Sequence, residues 1–233
     1  MSATVAVDAW YGQLDVAMAE VERLKRLLSL PEQARAGRFR YARDRRRFVV
    51  RRARLRQCLA ARTGIAPERL TFVTGQNGKP RLAGDGQSFK APCFSLSHSG
   101  DYWLLAIADV EVGADIEQMA PGIDHHDTAR RLFGPGEINA LENLPETAAM
   151  SAFFQCWARK EAFVKAIGEG LSYPLDAFEV SVGVDAVVLA GGAGWAMERL
   201  DIAGDIAGAI VARTDGRPLD IRLKGFDVLR NAA

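Results

Sequence analysis

Asp115 and Glu117, in Gly113-Ala114-Asp115-Ile116-Glu117, are the first residues of this chain whose spacing suits chemistry. On a strand, side chains two apart point to the same face, roughly 6–7 Å from one another. Some forty residues on, Trp157-Ala158-Arg159-Lys160-Glu161-Ala162-Phe163-Val164-Lys165 reads as a helix, closed by Gly168-Glu169-Gly170-Leu171. Trp157, Glu161 and Lys165 lie four apart and share one stripe. If this strand packs on this helix, three carboxylates meet beside a lysine. Mg²⁺ takes carboxylate oxygens at about 2.0–2.1 Å and keeps positions open for substrate phosphates. Without a cation, repulsion among the three would raise a pKa. Lys160 and Lys165 either pair with acids on a solvated face or neutralise a phosphoryl oxygen as a leaving group departs.

Other segments carry weaker chemistry. Ser97-His98-Ser99 lacks the G-x-S-x-G turn of a nucleophile elbow, so its hydroxyls and imidazole read better as phosphate ligands. Gly78-Lys79-Pro80 follows Gly75-Gln76-Asn77, a turn signal that gives Lys79 a restricted direction. Asp124-His125-His126-Asp127 has metal-ligand residue types. Four consecutive residues cannot converge on one ion, however, and the segment reads as a solvated loop. Trp157 reads as a core anchor. Gly168 and Gly170 terminate a helix or admit a ligand close to the backbone.

The elements that must position these groups follow from periodicity. Alternation over 3–9 predicts a first strand. Val16, Ala19, Val21, Leu24, Leu27 and Leu28 predict a helix, and Ser29-Leu30-Pro31-Glu32 caps the next. A helix over 44–62 buries Phe48, Leu55 and Leu59 and shows its arginines on the other side. Strands are expected near 70–73 and over 102–108 and 111–118, the last two forming a hairpin that turns near Asp109. Helices follow at 135–143 and 146–168. Beyond Pro174 the pattern is β, at 177–182, 186–190, 195–201, 205–213 and 219–228. The segment 118–135 has loop composition at both ends. The class is mixed α and β.

The chain has 233 residues, with 48% hydrophobic and 25% charged content, which suits a globular fold of one larger domain or two small lobes. A net charge of +1 conceals an asymmetry. Between Arg35 and Arg62 there are twelve arginines and one acid, Asp44. Such a segment expects phosphate, nucleic acid or an acidic protein. Cys58, Cys93 and Cys156 are widely spaced and read as core residues of a reducing compartment. No apolar run reaches membrane-spanning length, and the early residues lack an export signal, so a cytoplasmic protein without membrane contact is expected.

Taken together, Gly113–Glu117, Trp157–Ala162, Lys165 and Gly168–Leu171 resemble the paired signatures of the 4'-phosphopantetheinyl transferases, and Gly78-Lys79-Pro80 and Ser97-His98-Ser99 are similar to the Sfp-type branch. The resemblance runs from about Arg38 to Phe178. It implies two similar α/β lobes related by a pseudo-twofold, divided as 1–110 and 111–233, with a site in the cleft between them. Asp115, Glu117 and Glu161 would be Mg²⁺ ligands, and Lys165 and Lys160 would serve the pyrophosphate of coenzyme A. Lys79, Pro80, Ser97 and His98 would hold its adenine and phosphates, and Arg47 its 3'-phosphate, with Arg35 and Arg38 adding to the pocket and Arg45, Arg46 and Arg51 crowding it. Ala114 departs from the larger apolar residue usual there. The implied reaction moves 4'-phosphopantetheine from coenzyme A to a serine of an apo acyl or peptidyl carrier protein and releases 3',5'-ADP, with Asp115, Glu161 and Lys165 as catalytic residues and a monomer as the working unit. The carriers of this branch serve fatty acid, polyketide, nonribosomal peptide or siderophore synthesis. Two other readings compete: a nucleic-acid binder using helix 44–62, whose few aromatics argue against base stacking, and a Mg²⁺-dependent phosphohydrolase.

Overall fold

The computed structural model describes residues 4–75, 77–83, 91–119, 123–183, 192–202 and 204–226. In chain order the elements are β1 (Val5–Gln13), α1 (Met18–Lys25), α2 (Leu30–Gly37), α3 (Ala42–Thr63), β2 (Phe72–Thr74), β3 (Pro80–Leu82), β4 (Cys93–Ser99), β5 (Tyr102–Ala108) and β6 (Val112–Gln118). There follow α4 (His125–Leu132), α5 (Pro135–Glu142), α6 (Glu146–Ile167), β7 (Trp195–Arg199), β8 (Ile206–Arg213) and β9 (Leu219–Gly225). The fold is mixed α and β. One sheet has the order β4-β5-β1-β9, a second the order β6-β8-β7, and β2 and β3 form a short ribbon.

The segment 124–127, expected as a solvated loop, instead caps and begins α4. The two sheets explain another expectation that fails. Strands 102–108 and 112–118 form no hairpin, because β5 is already paired on both sides, by β4 and by β1. The chain therefore leaves that sheet at Asp109, and β6 pairs antiparallel with β8 instead. β9 returns to the first sheet and lies parallel to β1. The expected strand at 177–182 reduces to a bridge at Val180 after a 3₁₀ turn, Leu175–Ala177. The one at 186–190 lies outside the described residues.

Three apolar clusters hold these layers. One, around Phe48, Leu55, Leu59 and Trp103, lies between α3 and the first sheet. A second, around Phe153, Phe163 and Phe178, surrounds α6. The third, with Val7, Leu104, Ala114, Ile116 and Ile210, draws on β1, β5, β6 and β8 and so joins the two sheets.

Helix α3 differs from its expected amphipathic form. Arg54 and Arg56 are buried, at 3% and 2% exposure. They reach Glu20 on α1 and Glu32 on α2 at 2.9 and 2.7 Å. Glu32 also receives Arg52 and accepts from the Ser29 N–H at 2.9 Å as a capping box. Arg43 and Arg47 pair with Asp15 and Asp101, and Arg62 with Asp109. The arginine-rich helix is thus largely an ion-paired scaffold.

Candidate active site at the seam between the two sheets

β4 and β6 are the facing edges of their sheets, and serine side chains join them in place of backbone hydrogen bonds. Ser95 Oγ accepts from the Ala114 N–H at 3.0 Å. Two residues on, Ser97 Oγ donates to Asp115 Oδ1 at 2.6 Å, and two further, Ser99 Oγ donates to Glu117 Oε2 at 2.6 Å. The period of two puts all three hydroxyls on one face. Ser95 is the residue the motif reading missed, and Ser99, though part of the quoted motif, was given no contact with Glu117; the alternation of the three serines is the signal that would have found both.

α6 closes the seam from above. Gly113 is what lets it approach: a Cβ there would fall 2.8 Å from Ala166 Cα and closer still to the Ala162 carbonyl oxygen. Across this contact Lys165 Nζ donates to Ser97 Oγ at 2.9 Å and to Asp115 Oδ1. An ammonium has three donors, which leaves one for a ligand oxygen. Asp115 is enclosed, at 2% exposure, and its Oδ2 accepts no hydrogen bond among the described residues.

The electrostatics follow from this crowding. Burial pushes the Asp115 carboxyl up against the opposing pull of Lys165 and Ser97. Glu117 is pushed up to about 7, first by burial and then by the charge on Asp115, with the Ser99 hydrogen bond working the other way. Glu161 is raised by burial and by Asp115. Charge couples the three, Asp115 raising both glutamates and Glu161 raising Glu117. Three carboxylates and an orphaned buried oxygen make a donor set that suits a hard divalent cation.

Next to the seam is a cavity of about 220 Å³, lined by Lys79, Pro80, Phe94, Lys165, Gly168 and Gly170 among others. Gly168 caps α6 at φ +78, and its neighbour Gly170 brings the backbone against the Asn77 carbonyl. Lys79 Nζ donates to Glu111 at 3.2 Å and to the carbonyls of Val112 and Ala166, tying the 75–80 turn to the start of β6 and the end of α6. Burial lowers its pKa, with Glu111 opposing.

A second cleft, of about 320 Å³, opens on the other side of His98 and is lined by Arg47, Arg51, Phe48, Ser99 and Gly100 among others. Arg47 is engaged there, donating to Asp15, Asp101 and the Gly100 carbonyl. Arg51, four residues on, lies over the Phe48 ring at 5.8 Å and makes no ion pair among the described residues. Burial, with Arg35 and Arg52 close by, lowers it to about 10. His98 is held below the ordinary imidazole range, first by lost solvation in the cleft and then by Arg51, Lys165 and Arg47.

One sequence-derived position lies elsewhere. Lys160 is fully buried and pairs with Glu137 at 2.7 Å. It also donates to the carbonyls of Leu175 and Phe178 at 2.6 and 2.7 Å. One residue before Glu161, it leaves α6 in another direction, since successive helical side chains diverge by about 100°. Every donor of Lys160 is spent on the core, and none faces the seam. Arg35 and Arg38 are exposed.

Comparison with known proteins bears on this geometry. Residues 15–110 match a family model described as 4'-phosphopantetheinyl transferase, N-terminal, and residues 111–202 one described as the 4'-phosphopantetheinyl transferase superfamily. The chain is 35% identical over 177 residues to the 4'-phosphopantetheinyl transferase HetI of Nostoc, covering 76% of this chain and 74% of that one. It is 36% identical over 169 residues to the 4'-phosphopantetheinyl transferase psf-1 of Bacillus pumilus, covering 72% and 70%. A putative 4'-phosphopantetheinyl transferase of Synechocystis is 37% identical over 147 residues, 63% of this chain and 59% of its own length. The two family models run across β4, β6 and α6, the elements that build the seam, and the chain belongs to the 4'-phosphopantetheinyl transferase superfamily, a family of transferases.

Proposed function

We propose that this protein transfers the 4'-phosphopantetheine arm of coenzyme A to a serine of an apo acyl or peptidyl carrier protein, releasing 3',5'-ADP, with Asp115, Glu117 and Glu161 holding Mg²⁺. The observation that carries the reading is the Lys165–Asp115–Ser97 group at the seam, with two further carboxylates of raised pKa beside it. The cation, when bound, neutralises pyrophosphate charge and draws its oxygens into one orientation.

The chain's own residues do the rest. Glu161, its carboxyl raised by burial and by Asp115, accepts the carrier serine's proton as that hydroxyl attacks the β-phosphorus. A new P–O bond forms to the serine, and the bond from the β-phosphorus to the bridging oxygen breaks. Lys165 lends its remaining donor to the oxygen that takes up charge on departure, while Asp115 and Ser97 fix the direction of its ammonium. Lys79 and Pro80 form one wall of the nucleotide cavity. The 3'-phosphate belongs in the cleft of Arg51, Arg47 and His98. There Arg51 supplies the uncompensated charge, and Arg47, bound to Asp15 and Asp101, acts mainly to shape the wall. The two lobes divide near 110, with β9 returned to the first sheet, and the carrier docks on the segment Gln118–Asp127, of which residues 120–122 lie outside the described residues.

Incubation with coenzyme A, Mg²⁺ and apo carriers, followed by intact-mass measurement, tests the proposal. One added phosphopantetheine per carrier is expected, with loss of about a hundredfold or more in rate for Glu117→Ala and for Glu161→Ala. Normal transfer by either variant would contradict the assignment, and no added mass on any of several carriers would remove the function itself.

A further inference from the structure

Outside the seam, His125 and His126 on the first turn of α4 meet Glu146 on the first turn of α6. One ring nitrogen of each histidine and a Glu146 oxygen all lie within 4.8 Å of one another. His126 Nε2 is 3.5 Å from Glu146 Oε2, and His125 Nε2 is 3.9 Å from Oε1. These separations are long for direct hydrogen bonds, which fall at about 2.7–3.2 Å. They are close to the spacing of two ligands on one tetrahedral ion, about 3.3–3.4 Å for bonds of 2.0–2.1 Å.

His125 gives a second, independent sign. Its side chain is 13% exposed, and its Nε2 is enclosed with no hydrogen-bond partner among the described residues. The ring is held by its neighbours, 4.3 Å from the His126 ring centroid at an interplanar angle of 37° and 6.2 Å from that of Phe153. A buried imidazole nitrogen left unpaired is costly unless something outside the chain completes it. Glu146, whose side chain is 79% exposed, is free to adjust and leaves a coordination position open to solvent.

Charge weighs both ways. Both helices present their N-termini here, and the positive ends of their dipoles oppose a cation. Asp124, which caps α4 through the Asp127 N–H at 2.9 Å, and Asp127 on the same turn add negative charge beside Glu146. Arg131 offsets one of these, through its 2.8 Å pair with Asp127. Two imidazoles and one carboxylate select a borderline transition metal over Mg²⁺ or Ca²⁺, which require oxygen.

We infer that His125, His126 and Glu146 form a second metal site, for Zn²⁺, which ties the start of α4 to the start of α6 and is separate from the seam carboxylates. Sequence spacing does not reveal it, because the third ligand arrives twenty residues later from another helix.

The test uses tag-free protein in excess magnesium chloride, so that the seam carboxylates do not compete, titrated with zinc chloride by calorimetry and checked by metal analysis after dialysis. One zinc per chain is expected, together with a zinc-dependent rise in melting temperature. Glu146→Gln, at an exposed position, and His126→Ala should each weaken zinc binding by at least about tenfold and abolish the thermal shift. Cobalt chloride should give visible absorption in the wild type that these variants lose. Failure of the wild type to bind zinc overturns the site, as does undiminished binding by folded Glu146→Gln and His125→Ala/His126→Ala proteins, which would place the metal elsewhere.

Discussion

Glu117 has to be ionised to hold a cation, yet its surroundings keep it protonated up to about pH 7. A carboxyl whose folded pKa lies above its unfolded value stabilises the fold when protonated and loses that advantage as pH rises from about 4.5 towards 7. In metal-free buffer above pH 7, Glu117→Gln should therefore be more stable than the wild type. The gain should be on the order of 1–2 kcal/mol, the full 1.36 kcal/mol per pKa unit being reduced by the group's partial exposure. Thermal melts with and without Mg²⁺ check this: the cation should raise the wild-type melting temperature and leave the variant nearly unmoved. Arg51 makes a complementary prediction. Loss of a charge-assisted contact worth about 1.5–3 kcal/mol should raise the KM for coenzyme A in Arg51→Met by about tenfold or more. The same variant should lose most of its preference for coenzyme A over its 3'-dephospho form. An unchanged preference would move the 3'-phosphate away from this cleft.

α6 faces two ways, and adjacent residues divide its work. Glu161 and Lys165 serve the seam, whereas Lys160 holds α5 and the 175–178 turn through Glu137, which also accepts from the N–H groups of Gly134 and Val180 at 2.8 and 2.7 Å. Removing one partner of so enclosed a pair leaves a buried charge uncompensated. Glu137→Ala should thus cost about 3–5 kcal/mol, and Lys160→Met in the same background should recover much of it; chemical denaturation measures both. If Lys160 contacted the pyrophosphate, Lys160→Met alone would change coenzyme A kinetics beyond its effect on the folded fraction, and no such change is expected. The contact of α6 with β6 is equally exacting. Gly113→Val forces backbone apart and should destabilise by about 1–3 kcal/mol or more, with transfer lost even where the variant folds, because Lys165 and Asp115 separate.

Across the whole molecule, the apolar cluster shared by β1, β5, β6 and β8 couples the two sheets, and β9 couples the C-terminal end to the first strand. The seam is formed by both sheets, so its geometry exists only while both are folded. Thermal unfolding should accordingly be one cooperative transition, with loss of the Lys165–Asp115 contact and loss of secondary structure coinciding; two separated transitions would show that the sheets fold independently. No helix of the described residues is long and apolar enough to cross a membrane. Of the twelve arginines in the basic segment, which by composition alone suits nucleic acid as well as a nucleotide, six (Arg43, Arg47, Arg52, Arg54, Arg56 and Arg62) pair with acids of this chain.

The long helices and most strands were legible in the chain, because capping residues, glycine stops and hydrophobic period are local properties: Ser29 with Glu32, Gly64 after α3 and Gly168 after α6 all end or begin elements where they stand. β3, β4 and the start of α4 were not. The residue types of the site were legible too, since Asp115, Glu117, Glu161 and Lys165 bear charges whose spacing already assigns them to one strand face and one helix stripe. Tertiary structure decided which strands paired, sending β6 to β8 once both edges of β5 were taken. It also decided which charges work. Lys160 and Lys165 are alike in sequence, and the same is true of Arg51 and Arg54, yet in each pair one faces the seam or its cleft and the other the core. A charge acts according to its partners and its access to water, and those are set by residues distant in the chain.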